Sequence, residues 1–486
     1  QDRKKRTSGR FHGAAWIVAP PGLSQAMGCV SSKPPAAEQQ SNVRRSLSLE
    51  IVDGPDDKRH CCETSKAGGG LGDPSAASPD DEEDRSLLLQ LTGQDVLDMV
   101  QQAAARKFSI SSETDKDGNR ADSFSSKQTA VRSQAALNFS KENIGYACKK
   151  GLKPDAPNQD SFFICEVQGE FSIYGVFDGH GRKGHDVSNF IKDLLPKLLI
   201  GRPDVMQDPI QALKDVFLRM QRLIEKATDM QRIDANRSGS TASVILHDHK
   251  RHMLYTAHVG DSRCVLAKKG SDAQWKAVDL TEDHKPSLPA EKERVERSGG
   301  QVRFDGGFNY RVYAKGKGYP GLNMTRALGD LLGFSDAGIT AEPDVMQTPI
   351  TNPQVCAADS YGQGFAKTES RPSFAPSISS HSIDPMADKF LLICSDGVWE
   401  FLSSEEATMA VSKFASSEAM GAAEHLASAS WDQWMTTMGG EVVDDITVLL
   451  VHLDAPNGHI DAGNVAHVVQ IEPTGSVVDH KETANN

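Results

Sequence analysis

Apolar residues are dense between about Asn143 and Leu453 and sparse on either side. Within that span the period of the pattern changes several times. SFFICEV, FSIYGVF, TASVILH, HMLYTAHVG, SRCVLAKK, KFLLICS and ITVLLVHL are short runs rich in β-branched and apolar residues, which predicts strands. HDVSNFIKDLLPKLL, DPIQALKDVFLRMQRLIEKATDM, EEATMAVSKFA and AMGAAEHLASASWDQW carry apolar residues at helical spacing. The stretch from Thr241 to Ala267 reads as a meander of neighbouring strands. The order is strands, two helices, more strands, helices and a last strand. It lacks a strict βαβ alternation. The expected class is therefore α+β, with antiparallel sheets and helices packed outside them.

The pattern also sets expected boundaries. A globular domain is expected over residues 141–454, interrupted at 345–388 by a flexible insertion containing TNPQ and RPSFAPSISSHS. Residues 27–140 read as a disordered region rich in Ser, Pro, Gly and charge. One short helix is expected inside it, over TGQDVLDMVQQAAARKF, with Thr92 as N-cap and Leu91 stapled onto Val96. Ser-rich residues 109–135 read as a second linker, and residues 455–486 as a disordered polar tail. The sequence carries no internal repeat.

Composition sharpens this picture. The chain has 486 residues, of which 38% are hydrophobic and 6% aromatic, as expected of a real core diluted by non-globular sequence. The net charge of −13 argues against nucleic acid, which needs clustered Lys and Arg, and suits divalent cations. Eight cysteines without CxxC spacing read as reduced thiols in a cytosolic compartment. No window approaches the length of a membrane-spanning helix. The first methionine is Met27, and from there the chain reads MGCVSSK. This fits a myristoylation motif with Gly28 as acceptor and Ser32 at the last position; Cys29 is placed for a palmitoyl group. Residues 1–26 then read as upstream sequence, and the expected location is the cytoplasmic face of a membrane, such as the plasma membrane, or the cytosol.

Candidate chemistry lies at the strand ends. FSIYGVF runs into Asp178-Gly179-His180-Gly181. Taken alone, Asp-Gly reads as a turn. Yet Asp160 also precedes a strand, Asp261 lies between two, Asp396 follows one, and Asp444 and Asp445 precede the last. Aligned strands would bring these tips to one edge. Converging carboxylates do not all stay ionised without a cation. Hard ions such as Mg²⁺ and Mn²⁺ prefer oxygen ligands. Two of them sharing an aspartate would activate a water for in-line attack on a phosphoryl group. His180 would then protonate the leaving alkoxide. The chain has no C-x₅-R, no P-loop and no G-x-S-x-G.

NQDSFF, YGVFDGHGRKG, SGSTASVILH, AHVGDSRCVLA, LTEDHKP, ERVERSGGQV, TRALGD, EPDV, LLICSDGVWEFL and DDITVLLV, in this order, resemble the metal-dependent protein phosphatases of type 2C. The resemblance spans residues 143–453. It implies two antiparallel sheets packed face to face and flanked by helices, and hydrolysis of phosphoserine and phosphothreonine in proteins. It implies two Mg²⁺ or Mn²⁺ ions and a weaker third. Asp178 would bridge the pair; the Gly179 carbonyl would bind one ion, and Asp396 and Asp444 the other. Asp160 would hold metal-bound water, Asp261 would join Asp396 at the third site, and His180 would be the general acid. The segment Lys285–Leu322 would form a flap beside the site.

The chain departs from the family pattern in four places. Gln159 replaces a frequent glutamate, which removes a charge from a water-mediated contact. Asp444-Asp445 replaces Asp-Asn, so either carboxylate could ligate. The usual phosphate-binding arginine is missing; Lys149, Lys150 and Lys153 are available, and Lys153 is the favoured replacement. Glu400 stands where an aspartate often completes the third site. Phosphorylated proteins are the expected partners, with a membrane surface reached through the lipid anchor, and the chain is expected to be monomeric. A non-catalytic binding module and a hydrolase for small phosphate esters are the alternatives.

Overall fold

The computed structural model describes residues 79–453 apart from internal segments, the longest being 114–126 and 351–388, together with residues 469–471. In chain order the elements are α1 (Pro79–Thr92), α2 (Val96–Met99), β1 (Lys107–Glu113), β2 (Gln128–Ser133), β3 (Ile144–Lys149), β4 (Asp160–Val167) and β5 (Phe171–His180). Then come α3 (Gly184–Ile200), α4 (Pro209–Asp229), β6 (Gly239–Ser240), β7 (Ala242–Asp248), β8 (Met253–Val259), β9 (Arg263–Lys269) and β10 (Trp275–Asp279). Next are α5 (Pro289–Arg297), β11 (Gly300–Phe304), β12 (Tyr310–Ala314), β13 (Pro320–Leu322), β14 (Leu328–Gly329), α6 (Leu331–Asp336) and β15 (Asp344–Pro349). The last are β16 (Lys389–Cys394), α7 (Asp396–Trp399), α8 (Ser404–Val411), α9 (Ala419–Thr437), β17 (Ile446–His452) and β18 (Val469–Ile471).

Two antiparallel sheets pack face to face, as the resemblance implied. One runs β15-β8-β7-β5-β4-β1-β2-β18, with β6 on the end of β5 and β14 on β6. The other runs β10-β9-β16-β17-β3. Strand residues alternate between two apolar faces, which explains runs without a polar side. On β4, Phe162 and Ile164 face the layer between the sheets, while Phe163 and Cys165 face the helices. On β16, Leu391 and Ile393 join the inter-sheet layer, while Phe390, Leu392 and Cys394 pack under α8 and α9. Helices α3 and α4 cover the outer face of the first sheet with Ile191, Leu195, Phe217 and Ile224. The result is four layers, helix, sheet, sheet, helix. Strands β11 to β13 form a separate small sheet within the expected flap.

The amino-terminal expectations need correction. The stretch read as linker, 109–135, supplies β1 and β2, and β1 pairs with β4 along five residues. Phe108 and Ile110 enter the inter-sheet core, and polar Ser109 and Ser111 alternate with them. Serine content masked a strand whose apolar side is only every second residue. The expected helix from Thr92 is also displaced: α1 ends at Thr92, and α2 starts after Asp95, which caps the Leu97 amide at 2.8 Å. Leu88, Leu91, Val96 and Leu97 are buried against α3 and α4. Buried Lys192 on α3 donates to the Ser112 carbonyl at 2.7 Å, and Lys127 donates to Ser161 Oγ at 2.7 Å. The ordered fold therefore begins well before residue 141.

Two further boundaries move. Residues 345–349 belong to β15, paired with β8, so the expected insertion starts later; residues 351–388 lie outside the described residues. Within the expected tail, Val469–Ile471 pairs with β2. The sequence MGCVSSK, with Gly28 and Cys29, also lies outside the described residues. Among the described residues no helix is long and apolar enough to cross a membrane.

A chain shortened to begin at residue 141 would lose β1 and β2 and expose the apolar surfaces of α3, α4 and β4. We expect it to aggregate or to melt at least about 10 °C below the full chain in calorimetry. An unchanged Tm would restore the boundary at 141.

Candidate active site

Five strand tips meet at one edge of the sandwich. The register of β4 and β5 places Asp160 opposite Asp178. In the second sheet, Cys394 at the end of β16 lies opposite Arg263 at the start of β9 and opposite Val448 on β17. Asp261 precedes β9, Asp396 follows β16, and Asp444 and Asp445 precede β17, so these tips share an edge. Ser395 joins the two sheets there. Its Oγ donates to Asp160 Oδ2 at 2.7 Å and accepts the Thr447 amide at 3.0 Å. The expected turn at Asp178-Gly179 does not form. Strand β5 continues through His180, with Gly179 opposite Ser240 and His180 opposite Gly239. The chain turns instead at Gly181, whose φ of +82° and close approach to the Arg237 carbonyl exclude a side chain.

The edge is electrostatically strained. Burial, then the neighbouring Asp160, Asp396, Asp444 and Asp261, push Asp178 well above the ordinary carboxylate range. Asp396 is likewise pushed well up, by burial and by Asp444 and Asp261, against the opposing pull of Lys285. Asp160 is pushed up to about 7 by burial and by Asp445, although the Ser395 hydroxyl stabilises its charge. Two ammonium groups offset part of this. Lys153 bonds the Asp444 carboxylate, and Lys285 bonds Asp261. Burial lowers both lysines, but the adjacent carboxylates outweigh it and hold both ammoniums charged.

The doubled aspartate now divides. Asp445 is buried and receives the Gly151 amide at 2.7 Å and the Gln159 amide at 2.8 Å, so its oxygens are committed to the backbone. Asp444 faces Lys153 and the cluster. Among the three candidate lysines, Lys149 pairs with Glu424 at 2.8 Å and Lys150 donates to the Lys153 carbonyl at 2.8 Å. Lys153 bonds the Asp444 carboxylate and so reaches the acidic edge. Gln159 donates from Nε2 to the Gly181 carbonyl at 2.6 Å, a bond that a glutamate could not make. His258 and His284 stack at 4.3 Å, and the Gly260 amide donates to His284 Nδ1 at 3.1 Å. They fix the turn that carries Asp261.

The donor set suits a hard divalent cation, since every group is an oxygen. Asp160 Oδ1, Asp261 Oδ1 and Asp396 Oδ1 are buried without a hydrogen-bond partner. Such orphaned carboxylate oxygens are costly unless a cation takes them. Among the described residues, no group of three or more His, Cys, Asp or Glu side chains stands at ligating spacing. Lys153 and Lys285 bond Asp444 and Asp261 instead.

With this geometry in place, the comparisons with known proteins are decisive. The family described as Protein phosphatase 2C matches residues 154–357 and 360–435. The chain belongs to the protein phosphatase 2C family. It is thus a serine/threonine protein phosphatase whose class is metal-dependent. "Probable protein phosphatase 2C 61" of Arabidopsis thaliana is 32% identical over 310 residues, 63% of this chain and 82% of that protein. "Probable protein phosphatase 2C 72" of the same plant is 28% identical over 337 residues, 64% of this chain and 90% of that protein. A crystal structure of a serine-threonine phosphatase 2C from Toxoplasma gondii aligns with a TM-score of 0.48 at 20% identity, over 64% of this chain and 94% of that one.

Sequence reasoning on this type 2C phosphatase missed three partners. Lys285 was assigned to the flap, yet its ammonium sits on Asp261. Lys127 lay in the presumed linker, yet it supports Ser161, the neighbour of Asp160. Asp330, the last residue of TRALGD, entered the resemblance without a role, yet its Oδ2 accepts from His180 Nε2 at 2.6 Å. Pairs so distant in the chain leave no local spacing signal. An acidic residue closing the apolar run Ala327-Leu328-Gly329 was the one available hint.

Asp445→Ala strips two buried amides of their acceptor and should cost about 2–4 kcal/mol in denaturant unfolding. Asp444→Ala should cost far less; equal losses would contradict the division of roles. The pH dependence follows from the raised carboxylates. The folded state holds protons at Asp160, Asp178 and Asp396 more tightly than the unfolded chain. The stability these carboxylates contribute to the cation-free protein is therefore largest at acid pH and is lost as pH rises through about 7, where Asp160 ionises. Buried His247 and His258, which burial lowers to about 3 and about 4, act in the opposite sense over the same range. The cation effect isolates the carboxylates: Mn²⁺ should raise Tm more at about pH 8 than at about pH 5.5. An Mn²⁺ shift that is equal at both pH values would refute this electrostatic picture.

Proposed function

We propose that this phosphatase removes phosphate from phosphoserine and phosphothreonine in proteins with two bound Mg²⁺ or Mn²⁺ ions and a weaker third. The observation that carries the reading is the set of orphaned oxygens on Asp160, Asp261 and Asp396 around the destabilised charge of Asp178. When bound, the cations neutralise these carboxylates, polarise the phosphoryl oxygens and acidify a water. Asp178 and the Gly179 carbonyl would hold the pair from β5, and Asp396 and Asp444 would hold it from the second sheet. Asp160 is suited to orient water, since Ser395 fixes its other oxygen. Asp261 and Asp396, with Glu400 nearby, would form the weaker site. Burial raises Glu400 while Lys285 opposes the shift.

The chain's own groups supply the remaining steps. Lys153, once Asp444 turns to a cation, is placed to hold a substrate phosphate oxygen as a point charge. His180 sits at the end of β5, where burial opposes its charged form but Asp330 outweighs burial and raises it above the ordinary imidazole value. A protonated imidazole there can give a proton to the departing seryl or threonyl oxygen. The segment MGCVSSK supports a further element of the proposal, acylation of Gly28 and Cys29 that tethers the phosphatase to the cytoplasmic face of a membrane. Intact-mass analysis of protein isolated from its own cells tests the tether. A myristoyl group on Gly28 supports it, and an unmodified amino-terminal segment that retains Gln1 refutes it.

Turnover of a phosphothreonine peptide should require Mn²⁺ or Mg²⁺ and vanish in EDTA. Asp178→Ala should lower metal-dependent turnover by on the order of a thousandfold or more. Undiminished turnover by that variant, or by the parent in EDTA, would overturn the reading.

A further inference from the structure

Strand β2 lies at one side of the first sheet, and its outer edge is taken by β18, which comes from the far end of the chain. The cover is short. β1 pairs with β2 along six residues, Gln128 to Ser133, whereas β18 stands opposite three, Thr129 to Val131. Pro473, two residues after Ile471, has no N–H with which to extend the ladder. β2 itself, QTAVRS, holds neither proline nor glycine. Such an edge offers a row of backbone donors and acceptors to an extended segment. The register also shows the pattern it takes. Val469 stands opposite Val131, which is buried in the inter-sheet core; Gln470 stands opposite Ala130, and Ile471 opposite Thr129. The pattern is apolar at alternate positions, in register with a core-facing residue of β2.

The direction of the covering strand ties this edge to the site. β4 begins at Asp160, opposite Asp178 near the end of β5. Followed outward through the antiparallel register, Glu113 at the end of β1 and Gln128 at the start of β2 lie at that same end of the sheet. A strand laid on β2 in the sense of β18 therefore has its carboxyl end at the catalytic edge. Lys127, just before β2, reaches that edge and donates to Ser161 Oγ at 2.7 Å, next to Asp160. β18 is four strand spacings from β5, about 19 Å, so roughly six extended residues lead from the position of Ile471 to Asp178.

We propose that the outer edge of β2 is a docking edge for an extended segment of the phosphoprotein substrate, apolar at alternate positions, whose phosphorylated residue follows about six or more residues toward its carboxyl end. β18 is then a short tethered strand that covers the edge until a longer segment displaces it. This rests on the phosphatase reading above and names the class of substrate that the same site takes.

The test uses the full chain with Mn²⁺ and a tail variant, Gln470→Pro with Ile471→Pro. The pair is needed because alternate residues of a strand point their N–H groups to opposite sides. Three phosphothreonine peptides are the probes. One carries the segment Thr-Val-Gln-Ile-Thr-Val, then about eight Gly and Ser residues, then phosphothreonine. The second has prolines in that segment, and the third places the segment after the phosphothreonine. A tethered strand competes at an effective concentration on the order of 1 mM, so disabling it should lower KM for the first peptide about tenfold. The other two peptides, kcat, and turnover of p-nitrophenyl phosphate should stay at the parent's values. Backbone amides of β2 should exchange with solvent faster in the variant, and the first peptide should slow them again. A variant that treats the first two peptides alike, a third peptide that gains as much as the first, or β2 exchange that the variant leaves unchanged would overturn the docking edge. A variant that dimerises without any gain on the first peptide would assign the edge to a second copy of the chain and overturn it too. Each of these outcomes with an active parent overturns this proposal alone; a parent inactive on all peptides and on p-nitrophenyl phosphate overturns the phosphatase reading and this proposal with it.

Discussion

Mutual repulsion among buried carboxylates is the constraint from which the rest follows. Asp160, Asp178, Asp261, Asp396 and Asp444 occupy one edge of a two-sheet sandwich, where water cannot screen them fully. Asp178 and Asp396 are forced far from their ordinary ionisation, and two lysines are drawn in as partial counter-charges. A protein gains nothing in stability from such a cluster. It is the arrangement expected where cations complete the site and set its chemistry.

The sandwich makes the crowding possible by committing nearly every other side chain to packing. Strands β4 and β16 are apolar on both faces, so only their tips are free for polar work. Ser395 and Asp445 then lock the two sheets together at those tips, one through Asp160 and the other through the backbone of residues 151 and 159. The same edge orders the groups of the proposed reaction by distance from the carboxylates. Lys153 bonds Asp444 directly, while His180 stands two residues beyond Asp178 and is turned toward Asp330.

Much of this was legible from residues alone, for a physical reason. Strands buried on both faces are written as continuous apolar runs, and an aspartate that ends such a run stands out. That made the convergence of the aspartates and the sheet-rich core readable. Strand β1 was not, because FSISS hides one apolar face behind alternating serines. Nor could spacing separate Asp444 from Asp445, since their roles depend on which one meets the amides of Gly151 and Gln159. Asp330 and Lys285 were invisible as site residues for the same reason: their partners are brought to them by sheet pairing and not by local periodicity.

Anomalous diffraction from a crystal of the full chain grown in Mn²⁺ tests the central claim most directly. The account predicts two strong manganese peaks between β5 and the second sheet, within ligating distance of Asp178 and Asp396, with Asp444 released from Lys153. An ordered edge with no manganese peak, and with Lys153 and Lys285 still on their carboxylates, would contradict it.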